Sequence, residues 1–201
     1  RAMLAPLMFT PTPRRVLLAG CGGGAIARWF HHHAPQTPGD AVEISAEVAQ
    51  LARDYFDFPP ASTAWRLICA DVRDFVLSSA PEYDYLLVDL EEDQSTPDWV
   101  TAEPFLSRCR GRLSAQGTMV LNLISSSVDE CAERLLAVRQ AFTHGVGLLG
   151  DSNHDNLLVL ARRDEAIVLP DKAVLAEAGQ RWGLDFVAMA SRLRIVPPAA
   201  S

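Results

Sequence analysis

The sequence predicts an α/β protein: a doubly wound, mostly parallel sheet of seven strands with one antiparallel strand near the C-terminus. Three observations carry this. Short apolar runs alternate with segments of helical spacing. The first run is closed by a glycine cluster, and the next three each end at an acidic residue. The runs are also continuously apolar rather than alternating, as in strands buried on both faces. At 201 residues, 49% apolar and 21% charged, the chain suits one domain over 1–201, with a lead-in over about 1–13 and a helical tail over about 170–201.

The first strand is Val16-Leu17-Leu18-Ala19, introduced by Pro11-Thr12-Pro13 and followed by Gly20-Cys21-Gly22-Gly23-Gly24. A helix over Ala25–His33 follows, and the segment 35–39, with Pro35 and Gly39, breaks it. Ala41-Val42-Glu43-Ile44 is the second strand. Ser45 caps a helix whose Val48, Leu51, Ala52 and Tyr55 share one face. Trp65–Cys69 and 85–88 are the third and fourth strands, closed by Asp71 and Asp89. A helix over 102–113, a turn at Ala115-Gln116-Gly117 and a fifth strand over 118–123 come next. The helix over 129–142 turns Cys131, Leu135, Val138 and Phe142 toward the sheet. Strands 146–149 and 156–161 pair across the loop 150–155, and helices over about 171–180 and 184–193 complete the chain.

A net charge of −7 gives no positive field to draw in phosphate backbones, so nucleic acid and anionic membrane surfaces are poor partners. Cys21, Cys69, Cys109 and Cys131 form no metal or disulfide spacing and read as buried small hydrophobes in a reducing compartment. No segment approaches the roughly 18 unbroken apolar residues of a membrane span, and no secretory leader is evident. The expected location is the cytoplasm. The first residue is Arg1 rather than Met, as in a fragment of a longer chain.

In an open parallel sheet, ligands sit past the carboxyl ends of the strands where strand order reverses. Gly20, Gly22, Gly23 and Gly24 leave a backbone that a ligand can approach closely. Glu43, about 20 residues on, has paired acceptor oxygens for the two hydroxyls of a ribose. Asp71 can accept from an adenine amino group with Val72 near the ring, or simply cap a helix ahead of Arg73 and Asp74. Together these indicate an adenosine-containing ligand. NAD and S-adenosylmethionine both qualify. Ala25 stands third in the G-x-G-x-x-G pattern, which a dinucleotide site permits, whereas Asp71 and the acid-rich segment from Asp89 to Asp93 favour a sulfonium nucleoside with a cationic tail.

Several other features take plain readings. His31-His32-His33 point about 100° apart on a helix and do not converge on one metal. The polar run Asp151, Asn153, His154, Asp155 and Asn156 reads as a turn between strands. Trp65 and Trp182 read as packing residues, and Trp99 and Phe105 as packing for the following helix or as a pocket wall.

Arg1-Ala2-Met3, Pro13-Arg14-Arg15 leading into the glycine cluster, Val42-Glu43-Ile44, Glu47-Val48, Leu51-Ala52-Arg53, Tyr55-Phe56, Ala70-Asp71-Val72-Arg73-Asp74-Phe75 and Tyr83-Asp84-Tyr85-Leu86-Leu87-Val88-Asp89 resemble successive motifs of the spermidine synthases and their short bacterial relatives. The resemblance covers about residues 1–123, with further likeness in 156–161 and around Gly183-Leu184-Asp185. It implies a methyltransferase-type Rossmann fold and aminopropyl transfer from decarboxylated S-adenosylmethionine to an amine. It assigns Glu43 to the ribose, with Ile44 beside it in the same motif, Asp71 and Val72 to the adenine, the glycines to the path beneath the nucleoside, and Asp89 to the aminopropyl end. The family's base lies in an Asp-x-x-Asp segment; here Asp89-Leu90-Glu91-Glu92 places Glu92 there, with Asp93 adjacent as a substitute.

Two departures bear on the reaction. The family's glycine loop commonly carries an Asp where this chain has Gly23, and Glu92 is one methylene longer than the family's Asp. Complete members also precede the Arg1-Ala2-Met3 region with a small β-domain that covers the site. Three readings follow: an aminopropyltransferase, a methyltransferase using S-adenosylmethionine on another acceptor, and a non-catalytic nucleoside-binding relative. The expected co-substrate is S-adenosylmethionine or its decarboxylated form, without a metal. The expected partner is a small amine or another methyl or aminopropyl acceptor, with a homodimer as the form of self-association considered.

Overall fold

The strands are β1 (Val16–Ala19), β2 (Gly39–Glu43), β3 (Trp65–Cys69), β4 (Tyr83–Val88), β5 (Leu113–Leu123), β6 (Val146–Gly150), β7 (Leu157–Arg162) and β8 (Arg194–Val196). In this computed structural model, which describes residues 1–78, 82–150 and 156–198, they form one sheet in the order β3-β2-β1-β4-β5-β7-β6-β8. Strands β1 to β5 run parallel; β7 pairs antiparallel with β5, β6 with β7, and β8 with β6. The sheet therefore has eight strands rather than seven, and two of them, β7 and β8, oppose the rest. The addition is Arg194-Ile195-Val196, a three-residue edge strand that opens on an arginine and is stopped by Pro197, too short to show an apolar run of its own.

The helices are α1 (Ala25–His33), α2 (Ala46–Tyr55), α3 (Val72–Leu77), α4 (Glu103–Arg112), α5 (Val128–Ala141), α6 (Lys172–Trp182) and α7 (Phe186–Arg192), preceded by a 3-10 segment at Ala2–Met8. Because successive strand residues face opposite ways, Val16 and Leu18 join Phe30, Trp65 and Trp182 on one side of the sheet. Leu17 and Ala19 join Val72, Leu106, Val138 and Phe142 on the other. Trp65 and Trp182 are thus packing residues. Helix α2 departs from its predicted face: Ala49 and Ala52 are buried, whereas Leu51 and Tyr55 are exposed, because the small alanines let the helix lie close to the sheet. The predicted turn at residues 115–117 lies inside β5, where the pairing with β4 shifts register between Tyr83 and Tyr85.

Cys21 and Cys109 are buried as expected, but Cys69 is exposed and Cys131 half-buried. Cys69 ends β3, the sheet's edge strand, which leaves it uncovered on the outer side. His33 stacks on Trp29 with ring centroids 4.4 Å apart. Among the described residues no helix is long and apolar enough to cross a membrane. Asp151, Asn153, His154 and Asp155 fall outside the described residues.

A buried carboxylate ties the edge of the sheet to its centre. Asp40 on β2 is fully buried and accepts from Arg66 Nε at 2.6 Å, Arg15 Nη2 at 2.9 Å and the Tyr83 hydroxyl at 2.8 Å. Burial alone would push its carboxyl up; the bonds from Arg66, Tyr83 and Arg15 outweigh that and hold it below the ordinary carboxylate range. A depressed native value means the stabilisation is present above the unfolded carboxyl's titration, near pH 4, and is lost as pH falls through the folded value. Asp40→Asn should cost about 3 kcal/mol at pH 7, because it leaves two guanidinium groups without their buried partner. Urea unfolding from pH 7 to 3 should show the gap to wild type narrowing only below about pH 4.

Candidate functional site

Strand order reverses between β1 and β4, and the carboxyl ends of β1 to β4 open onto a cavity of about 750 Å³. Its lining includes Gly20, Gly22, Glu43, Ile44, Asp71, Val72, Asp89 and Glu92 from the predicted set, with Glu91 beside them. Gly23, Gly24 and Asp93 do not line it.

The glycine loop divides its work. Gly20 adopts φ +86°, and a Cβ there would lie 2.2 Å from the Asp89 carbonyl oxygen, so no other residue lets β1 pass β4 this closely. Gly22, at φ +47°, would meet nothing within 4 Å; its missing side chain opens the floor of the cavity. Gly23 faces away, against the Phe56 ring, 3.3 Å from a notional Cβ. Gly24 begins α1 against Phe58.

Glu43 ends β2 with each carboxylate oxygen fixed by one backbone donor: Cys21 N to Oε2 at 3.1 Å and Ser45 N to Oε1 at 3.0 Å. The remaining lone pairs are left to a ligand. Burial, with Glu43 nearby, pushes the Cys21 thiol up to about 11, so it is no nucleophile. Ile44 is 67% exposed and lines the cavity beside Glu43.

Asp71 both caps α3 and lines the cavity. It accepts from Arg73 N at 2.8 Å and is clasped by the Arg73 guanidinium, which holds its carboxyl below the usual range. Arg73 in turn lies 5.0 Å from the Trp99 ring centroid, and Trp99 packs edge-on against Phe105 at 5.0 Å. Trp99 thus serves as both helix packing and cavity wall.

Asp89 accepts from Asn122 Nδ2 at 2.9 Å. Beyond it the chain makes a two-residue hairpin: Glu92 N donates to the Ser95 carbonyl at 2.9 Å and Ser95 N to that of Glu92 at 3.0 Å. Asp93 and Gln94, at its tip, have φ +50° and +63°. Turns of this form favour Asn-Gly, and holding two other side chains there stores strain. The hairpin presents Glu92 to the cavity and turns Asp93 to its tip.

Arg73, Asn122 and Trp99 complete this constellation. Asn122 was findable by the signal that marks Glu43 and Asp89, a polar side chain near the carboxyl end of an apolar strand. Arg73 stands beside Asp71 in the sequence, where nothing assigns it a role of its own.

Fold and site define the class: a methyltransferase-type Rossmann protein with an acid-lined cavity at the strand switch. No protein-family model matches the chain. The polyamine aminopropyltransferase of Neisseria meningitidis serogroup A is 31% identical over 204 aligned positions, covering 98% of this chain and 76% of the relative. Human methyltransferase-like protein 13 in complex with SAH superposes with a TM-score of 0.75 at 21% identity, covering all of this chain and 92% of that one. A spermidine synthase in complex with the transition-state analogue AdoDATO superposes at 0.74 and 16% identity, covering 92% and 68%. The chain belongs to the polyamine aminopropyltransferase family, the spermidine synthase-like branch of the methyltransferase fold.

Proposed function

We propose that the chain, as one unit over residues 1–201, binds decarboxylated S-adenosylmethionine and transfers its aminopropyl group to an amine. One observation carries this reading. The tail end of the cavity presents Asp89, Glu91 and Glu92, while Arg73, the cation among the lining residues, is committed to Asp71. Such a lining suits an ammonium-bearing tail and an amine acceptor, and offers no free cation to a carboxylate.

In this reading Glu43 accepts from the ribose hydroxyls, Asp71 from the adenine amino group, and Ile44 and Leu90 flank the base above Val72. Asp89, oriented by Asn122, holds the tail. Glu92 takes the proton that the amine must lose to attack the carbon beside the sulfonium. The nitrogen–carbon bond forms as the carbon–sulfur bond breaks, and methylthioadenosine leaves. The relatives named polyamine aminopropyltransferase and the neighbour holding a transition-state analogue support it.

Methyl transfer from S-adenosylmethionine to an unassigned acceptor is the second reading, favoured by Gly23, which supplies no carboxylate and lies against Phe56, and by the likeness to a methyltransferase holding SAH. Calorimetric titration separates them. The first reading expects decarboxylated S-adenosylmethionine and methylthioadenosine to bind, and S-adenosylmethionine to bind at least about tenfold more weakly, the cost of one unpaired carboxylate. The reverse order establishes the second, and no heat from any of the three sinks both.

A further inference from the structure

We propose that Arg134, on α5, is a positioning residue that holds residues 92–99 as a preformed wall on the acceptor side of the cavity; the proposal rests on the reading of that cavity given above. Arg134 does not line the cavity and is only 8% exposed. Its Nη1 donates to the Thr96 carbonyl, and its Nη2 reaches Asp98 Oδ1 at 2.8 Å and the Glu130 carboxylate one turn back on the same helix. The Asp98 side chain is fully exposed, so that contact adds direction rather than strength. The bond to Thr96 is the one inside the protein.

Thr96 is the point at which the wall is fastened. It is 1% exposed, its N–H donates to the Ile124 carbonyl at 3.0 Å, and its hydroxyl donates to the Asn122 carbonyl at 3.1 Å while accepting from Ile124 N at 2.9 Å. These bonds tie the segment to the end of β5, and Arg134 closes the remaining side. Before Thr96 stands the Glu92 hairpin, and after it Pro97 and Trp99, so three cavity-lining residues hang on this one position.

An apolar residue would avoid the desolvation that a buried guanidinium incurs. What arginine supplies is a rigid planar fork whose two terminal nitrogens stand apart, Nη1 on the Thr96 carbonyl and Nη2 on the carboxylates, where a lysine offers its donors from a single nitrogen. Asp93 and Gln94 are both held in the left-handed region, so the hairpin tends to relax wherever its support is removed. Arg134 thus keeps Glu92 and Trp99 in place before any ligand arrives. Misplacement of a reacting group by about 1 Å costs on the order of a hundredfold.

The test uses Arg134→Met, Arg134→Lys and Thr96→Val with three readouts: steady-state kinetics for a diamine at saturating decarboxylated nucleoside, calorimetry with methylthioadenosine, and the fluorine resonance of 5-fluorotryptophan at Trp99, assigned with Trp99→Phe. Arg134→Met should raise the amine KM and lower kcat, together costing about ten- to a hundredfold in kcat/KM, leave methylthioadenosine affinity within about threefold, and move the Trp99 resonance toward that of an exposed indole. Arg134→Lys should recover less than half of the loss. Thr96→Val, which loosens the same point from the other side, should act in the same direction. Unchanged amine KM and Trp99 resonance in folded Arg134→Met overturn the proposal, as does parallel weakening of amine and nucleoside with a lowered Tm, the mark of a purely structural role. A wild-type protein that turns over no amine defeats the reading of the cavity instead, and the Trp99 resonance still decides whether Arg134 holds the wall.

Discussion

Replacing Glu43 by Gln is expected to weaken methylthioadenosine binding about ten- to a hundredfold while lowering the thermal midpoint less than truncation to alanine does. The carboxylate is held by Cys21 N and Ser45 N, one to each oxygen, so it enters the cavity in a fixed orientation with its remaining lone pairs free. Two ribose hydroxyls donating to it would make two charge-assisted bonds of about 1.5–3 kcal/mol each. Gln keeps the shape and one acceptor oxygen, but its amide nitrogen must face a donor on one side. With half the nominal energy recovered by rearrangement, the loss corresponds to about one to two decades in Kd. Glu43→Ala should lose as much binding and some stability besides, since both backbone donors are orphaned. Calorimetry with methylthioadenosine settles it: a Kd within threefold of wild type in Glu43→Gln would mean that the ribose does not lie at the end of β2.

The parts of the fold that were legible in the sequence are those in which one physical requirement acts locally. Strands β1 and β4 are buried on both faces, and their continuous apolar runs say so. A carboxylate at the end of such a run is equally visible, which is why Glu43, Asp71 and Asp89 could be gathered at one edge before any coordinates. Helix α3 has six residues, too few to display a period, so Asp71 read equally as a cap and as a ligand; it is a cap, and it also lines the cavity. Strand β8 and the true inner face of α2 were hidden for opposite reasons, one having too little apolar surface and the other having apolar residues on its outer face.

What sequence spacing could not supply were partners distant along the chain. Asn122 meets Asp89, and Arg134 meets Thr96, only because β5 lies beside β4 and α5 packs back over the loop. In the sequence Arg134 is one more charge on an amphipathic helix, indistinguishable from a solvated one. The departure at Gly23 also changes meaning. Gly23 stands outside the cavity lining, and a side chain there would press the Phe56 ring back by a few tenths of an ångström. The carboxylates that line the cavity beyond β4 are Asp89, Glu91 and Glu92.

Glu92→Gln is accordingly expected to lower kcat about 10²- to 10⁴-fold, the range for loss of a positioned general base, with methylthioadenosine affinity within about twofold of wild type. The choice between Glu92 and Asp93 turns on the hairpin. Glu92 forms both of its closing backbone bonds and lines the cavity, whereas Asp93 sits at the tip in the left-handed region, outside the lining. Asp93→Asn removes the carboxylate and installs a residue that tolerates left-handed backbone better, so it should keep kcat within about threefold and raise stability slightly. The longer side chain of Glu92 bears on the same point: at the base of a two-residue hairpin its extra methylene adds reach toward the cavity without moving the backbone. Glu92→Asp should then lose rate, on the order of a hundredfold for a carboxylate drawn back by about 1 Å, even though it restores the residue usual in the family. Single-turnover kinetics with saturating nucleoside and a diamine measure all three variants. Wild-type turnover in Glu92→Gln together with a dead Asp93→Asn would transfer the base to Asp93, and full activity in Glu92→Asp would mean that proton transfer does not depend on where this hairpin places its carboxylate.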